Sequence, residues 1–198
     1  PVINDFSIRV ATVNGSGSQT ANTVLLRAIF QMGIPVSGKN LFPSNIAGLP
    51  TWFTIRVSQH GYVARRAESE ITVVMNPETA TEDVAGVGPG GVIVLNDQIK
   101  TPRVPEDRTV YPVPMKSLME SITKDVKLRR LVVNMIYVGV LAELAGLSTA
   151  EIAQLAAMES GAIRLEPLFV SDSGTLRPTG TLPTFVKKFQ ASNVQWQW

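Results

Sequence analysis

The chain has 198 residues, 44% hydrophobic and 17% charged, which is enough apolar material for a substantial core and argues against disorder. Its 18 Lys+Arg against 16 Asp+Glu leave a net charge of +2, too balanced for a nucleic-acid footprint. With no cysteine and one histidine, disulfides, a thiol nucleophile, thiolate-held clusters and zinc sites are untenable on this chain.

The first unit is the clearest. Ile8 to Val13 reads as a strand, and Asn14-Gly15-Ser16-Gly17-Ser18-Gln19-Thr20 is turn chemistry. Ala21, Val24, Leu25, Ala28, Ile29 and Met32 then recur with a helical period and one buried face, and Gly33 and Pro35 stop the helix. Strand, glycine turn and helix form the first half of a βαβ unit. Ser37 to Pro50 reads as a loop rich in Gly, Pro, Ser and Asn. Trp52 to Val57 alternates as a strand, Ser58 to Gly61 turns, and Tyr62 to Arg66 reads as a returning hairpin strand.

Ile71 to Met75 suits a strand buried on both faces. Asn76-Pro77-Glu78 reads as N-cap, N1 proline and first-turn acid, so a helix is expected to start there. Val92 to Leu95 is a further strand, and Thr101 to Pro114 reads as a Pro-rich connection. Leu128 to Ala145 is apolar nearly all round and is expected to be a core helix, with Gly146 at its C′ position. The longest apolar stretch, Leu131 to Leu147, contains Asn134 and Glu143 and falls short of the roughly 20 apolar residues of a membrane span. Ser148-Thr149-Ala150-Glu151 is a capping box. Beyond about Met158 the texture changes to Gly, Pro, Ser and Thr. The expected division is residues 1–157 as one domain and 158–198 as an appendage or linker. Pro1 to Arg9 does not read as a secretory leader, so the expected location is the cytoplasm.

Gly15 and Gly17 match the first two positions of G-x-G-x-x-G, with Thr20 where the third glycine would stand. Backbone N–H groups at a helix N-terminus favour a phosphate, and glycine lets it approach. Ser16, Ser18 and Thr20 add hydroxyl donors. A tight strand-to-helix turn without a ligand explains the same glycines. A nicotinamide dinucleotide fits less well, because Val36-Ser37-Gly38-Lys39-Asn40 offers no acid for the ribose. Gly33 to Asn40 nearly spells a P-loop, but it follows a helix and has Asn40 where Ser or Thr would hold magnesium. His60 sits in a turn beside Gly61 as surface decoration. No catalytic group stands out. Glu82-Asp83 and Glu106-Asp107 are paired carboxylates in polar surroundings.

Together, Val13 to Asn22, Gly33 to Ile46 and Gly48-Leu49-Pro50-Thr51 resemble the γ domain of 2-oxoacid:ferredoxin oxidoreductases, of the type fused ahead of the α domain in 2-oxoglutarate enzymes. Met75 to Thr79, Tyr111-Pro112-Val113-Pro114 and Asn134 to Gly139 resemble its later signatures, so the likeness runs from about Asp5 to Ala157. The resemblance implies an α/β, Rossmann-like fold, an open and mostly parallel sheet with helices on both faces. It implies an accessory domain, inactive alone, in an enzyme that converts a 2-oxoacid and coenzyme A to acyl-CoA and CO₂. Thiamine diphosphate, magnesium and iron–sulfur clusters would sit in α and β partner domains or chains, with ferredoxin as electron acceptor. Neither nucleic acid nor membrane is an expected partner. Carried onto this chain, the candidate coenzyme A contacts are Gly15, Ser16, Gly17, Ser18, Gln19, Thr20, Lys39, Asn40, Ser44 and Asn45. A free-standing nucleotide-binding enzyme and a ligand-free assembly module remain the alternatives.

Overall fold

A computed structural model describes residues 4–44, 46–100, 103–147, 152, 169–172 and 175–178. Asn45, the capping box at 148–151 and most of the 158–198 appendage lie outside them. Strands β1 (Asp5–Val13), β2 (Val36–Leu41), β3 (Pro50–Ser58), β4 (Ser69–Val74), β5 (Val87–Asn96) and β6 (Thr109–Val113) form one sheet in the order β2-β3-β1-β4-β5-β6. β1, β4, β5 and β6 are parallel neighbours. β3 is antiparallel to both β1 and β2, so five strands run one way and β3 alone runs the other. Helices are α1 (Ser18–Gln31), α2 (Ala80–Ala85), α3 (Met115–Ile122) and α4 (Val126–Ala145). Outside the sheet, β7 (Phe169–Asp172) and β8 (Thr175–Pro178) pair with each other, antiparallel.

The alternation of each strand sorts side chains onto two faces. Ile8, Val10, Phe53, Ile55, Val57, Val73 and Val94 pack with the buried stripe of α1 and with Tyr137, Val138 and Leu141 of α4. Val74, Ile93 and Leu95 point the other way and pack with Ala80 and Val84 of α2. The sheet is therefore open and mostly parallel, with helices on both faces, the doubly covered arrangement expected of such α/β domains.

Several expectations need correction. Val36 to Leu41 is a strand, not part of a loop. It is an edge strand with no apolar alternation, and tertiary packing holds it. A Cβ on Gly38 would fall 2.3 Å from Leu26 Cδ1 and 2.9 Å from Phe53 Cζ, so glycine lets these side chains of α1 and β3 close over it where a larger residue would displace them. Tyr62 to Arg66 is exposed and forms no strand. Arg66, at the surface, pairs with Asp5 at 2.9 Å and Glu70 at 2.6 Å. The Pro-rich connection contains β6, which extends the sheet beyond β5. The helix expected at Asn76 begins at Ala80. Asn76 Oδ1 accepts the Glu78 N–H at 3.0 Å and makes a local turn before it. α4 is buried on one side only, leaving Leu128, Gly139, Glu143 and Leu144 exposed, because a helix in an outer layer has one face to bury. Gly146 closes it as expected, at φ 67°, with Leu147 N–H bonded to Ala142 and Gly146 N–H to Glu143, a Schellman end.

The second face beneath β1 and β3 is polar. Arg56 is 4% exposed and binds Asp5 and the Phe6 carbonyl. Trp52 crosses the small Ala11, its neighbour in register, and donates its indole N–H to Asp83 of α2 at 2.7 Å, while Thr79 donates to the other carboxylate oxygen. Asp83 is thus a structural acid. Burial pushes its pKa up from the ordinary value, against the pull of the Thr79 and Trp52 bonds and of Arg9. An acid whose folded pKa is raised loses stability as pH rises through that raised value. The neutral Asp83→Asn variant is therefore expected to match or exceed the wild type in urea midpoint at pH 7, with the difference vanishing near pH 4. Asp5 has the opposite sign. The Arg56 hydrogen bond lowers its pKa, so its contribution is present at neutral pH and lost on acidification.

Candidate functional site

A pocket of about 220 Å³ opens on the α1 face of the sheet, at the C-terminal end of β1. The C-terminal edge of parallel strands is where open α/β sheets place ligands. Gly15 and Gly17 turn the chain into α1 with φ of 81° and 80°, the left-handed region that side chains disfavour. Gly17 is the N-cap residue of α1. No side chain caps the helix, and no acid occupies its first turn. The positive end of the helix dipole and its first N–H groups are thereby left to whatever enters the pocket.

Asn14 fixes the turn against the β2–β3 connection. Its N–H bonds the Leu49 carbonyl at 2.7 Å, its carbonyl takes the Gly48 N–H at 2.9 Å, and its amide donates to the carbonyls of Ser44 and Ile46. This draws Ala47 over Gly15, so that a Cβ there would meet the Ala47 Cβ at 3.4 Å. On the far wall, the Thr51 hydroxyl lies 3.2 Å from Asn40 Oδ1, and Asn40 Nδ2 donates to Gln19 at 3.4 Å. The Thr12 and Ser18 hydroxyls bond each other at 2.9 Å on the floor.

Of the sequence candidates, Gly15, Gly17, Ser18, Gln19 and Asn40 line the pocket. Ser16, Thr20, Lys39 and Ser44 do not. Ser16 faces α4, where its carbonyl accepts from Asn134 at 2.8 Å. Thr20 and Lys39 are exposed, and Ser44 spends its hydroxyl on the Ile46 N–H. Asn45 lies outside the described residues. Thr12, Asn14, Asn22, Thr51 and Phe53 complete the lining without having been foreseen. Asn22 carried a signal. Seven residues after Gly15, it is a polar residue between Ala21 and Val24 on the buried stripe of α1. Thr51 and Phe53 carried none, because their placement depends on β3 folding back beside β1. No lining residue is charged, so the pocket relies on N–H dipoles and hydroxyls.

α4 closes the back of the site. Asn134 and Tyr137, one helical turn apart, face the glycine turn and α1, and the Tyr137 hydroxyl lies 2.9 Å from Asn22 Oδ1. Burial pushes the Tyr137 phenol well above its ordinary pKa, so it stays a protonated donor. Among the described residues no three His, Cys, Asp or Glu side chains gather as a metal site, and no helix is long and apolar enough to cross a membrane.

Comparisons with known proteins bear on the fold and the family. A subunit α of a 2-oxoacid:ferredoxin oxidoreductase from Aeropyrum pernix is 24% identical over 120 residues, which are 60% of this chain and 18% of that one. A 2-oxoglutarate:ferredoxin oxidoreductase from Magnetococcus marinus, solved with 2-oxoglutarate, coenzyme A and succinyl-CoA, superposes with a TM-score of 0.67 at 23% identity over 81% of this chain and 28% of that one. The γ subunit of a keto/oxoacid ferredoxin oxidoreductase from Geobacter sulfurreducens superposes at 0.62 with 15% identity, over 77% of this chain and 85% of that one. Pyruvate oxidoreductase subunit PORC from Thermotoga maritima superposes at 0.62 with 16% identity, over 77% and 83%. The chain thus spans under a third of the first two relatives and most of the two separate subunits. These likenesses share the fold, and the family of pyruvate ferredoxin/flavodoxin oxidoreductases matches residues 7–162. The chain belongs to that family.

Proposed function

We propose that this chain is the γ-type domain of a 2-oxoacid:ferredoxin oxidoreductase and that its glycine-turn pocket contributes to coenzyme A binding. The observation that carries the reading is the uncapped N-terminus of α1, closing through two left-handed glycines onto a polar, charge-free pocket. Such an end accepts a phosphate. Pockets that bury a drug-sized molecule run to about 300–1,000 Å³, so 220 Å³ suits one part of coenzyme A and not the whole. Bound coenzyme A would supply the thiol that takes up the acyl group. The residues of this chain would hold and orient it.

The remaining chemistry belongs to partners. Without a cysteine the chain cannot ligate iron–sulfur clusters. The thiamine diphosphate, its magnesium and the exit to ferredoxin are assigned to α and β domains or chains in a cytoplasmic complex, with residues 1–157 as the γ unit and 158–198 as an appendage. 2-Oxoglutarate is the proposed substrate, supported by the resemblance to fused γ–α enzymes. Calorimetric titration tests the ligand. Heat is expected with coenzyme A and none with NAD. Heat with NAD alone would favour a free-standing nucleotide-binding enzyme instead.

A second role, assembly, has its own observation. The loop that Asn14 clamps presents Phe42 at 49% and Ile46 at 65% exposure, beside Leu41 and Leu49. Apolar side chains on a tethered loop offer a docking surface without an ordering cost on binding. The double variant Phe42→Asp, Ile46→Asp is expected to keep the wild-type melting temperature but to reduce co-purification with α and β chains at least tenfold. Unchanged co-purification would remove the loop from the interface.

A further inference from the structure

We infer that Asn22 is the residue that reads the ligand in this pocket, donating its side-chain amide to a phosphate oxygen, and that Tyr137 is the positioning residue that aims it. This deepens the coenzyme A reading and rests on it for the identity of the natural ligand. Asn22 is 1% exposed, yet lines the pocket on the first turns of α1. An amide carries two acceptor and two donor sites. The Tyr137 hydroxyl is 2.9 Å from Asn22 Oδ1 and 3.5 Å from the Ser18 carbonyl, so its single proton goes to Asn22. That bond fixes the amide with its oxygen toward α4. Among the described residues, Nδ2 makes no hydrogen bond. It is not one of the enclosed polar atoms that lack a partner, so it keeps an opening to the pocket, where a ligand or ordered water can accept from it.

Two independent features thus converge on one space. The uncapped N–H groups of α1 supply donors from the backbone. Asn22 supplies one from a side chain, held in place by a helix distant in sequence. The nearby Thr12 and Ser18 hydroxyls bond each other, which uses one of their two protons and leaves the other as a further donor beside Asn22. With no cation in the lining, the pocket suits a phosphate diester carrying one charge per phosphorus, such as the diphosphate of a nucleotide cofactor. A dianionic terminal phosphate would lack a counter-charge.

The test is side-chain amide NMR on the ¹⁵N-labelled 198-residue chain, titrated separately with P1,P2-dimethyl pyrophosphate (a pyrophosphate diester with one charge per phosphorus, hereafter pyrophosphate) and with coenzyme A. Asn22 is assigned from the resonance pair that Asn22→Asp removes. Pyrophosphate is expected to shift this pair. Asn22→Asp, which replaces the donor by a carboxylate, is expected to weaken pyrophosphate at least tenfold while circular dichroism still shows a folded chain. Tyr137→Phe, which frees the amide to turn, is expected to weaken it several-fold and to broaden the Asn22 pair. Should Asn22→Asp not fold, the pair is assigned by triple-resonance NMR of the wild type, and its shift decides alone. No shift at millimolar pyrophosphate, or equal affinity in Asn22→Asp, overturns the inference. If pyrophosphate shifts Asn22 and coenzyme A does not bind, Asn22 keeps its role and the coenzyme A reading fails. If coenzyme A binds without moving Asn22, the inference fails and that reading stands.

Discussion

Gly17→Val is expected to abolish the coenzyme A heat and to cut acyl-CoA formation by the assembled enzyme at least tenfold, while the chain still folds. Gly17 sits at φ 80°, where a β-branched residue is strained by about 1–2 kcal/mol. For a domain of this size, each kcal/mol lowers the melting temperature by about 2–4 °C. The variant should therefore melt roughly 2–8 °C lower. Its larger effect is local, because the isopropyl group enters the pocket at the point where α1 offers its first N–H groups. Gly17→Asn separates the two effects. Asparagine tolerates the left-handed conformation, so this variant should recover most of the melting temperature and still lose binding. If both variants bind coenzyme A normally and only stability falls, the glycine turn serves the fold alone.

Tyr137→Ala is expected to cost the most stability. The side chain is completely buried between α4 and α1, and truncating such a ring removes about 3–5 kcal/mol. The expected fall in melting temperature is about 6–20 °C, read by circular dichroism. Tyr137→Phe keeps the ring and removes only the bond to Asn22, so its cost should be near 1 kcal/mol. A Tyr137→Ala loss no larger than that of Tyr137→Phe would mean that α4 contributes little to the core. That result would contradict its packing against Val24 and Leu25 in the same cluster.

Much of the fold was legible because it is local. The strand from Ile8, the helix whose buried stripe runs from Ala21 to Ile29, the apolar run at Ile71 and the glycine end at Gly146 each declare themselves in hydrophobic period or turn chemistry. The same holds for four of the ten lining residues, since Gly15, Gly17, Ser18 and Gln19 fall within one five-residue segment. The absence of cysteine also shows, from sequence alone, that these 198 residues offer no thiolate to an iron–sulfur cluster. β2 was hidden for the opposite reason. Its polar residues carry no period, and it is a strand because Leu26 and Phe53 fill the space that Gly38 leaves. Tertiary structure alone decided that Ser16 turns to α4, that Lys39 stands on an exposed edge, and that Thr51 and Phe53 arrive beside the glycine turn. Each depends on chain segments that meet across long separations, such as Tyr137 against Asn22, 115 residues apart. A hydrophobic period reports which face of an element is buried. It does not report what that face is buried against, and the far wall of this pocket is made of such long-range contacts.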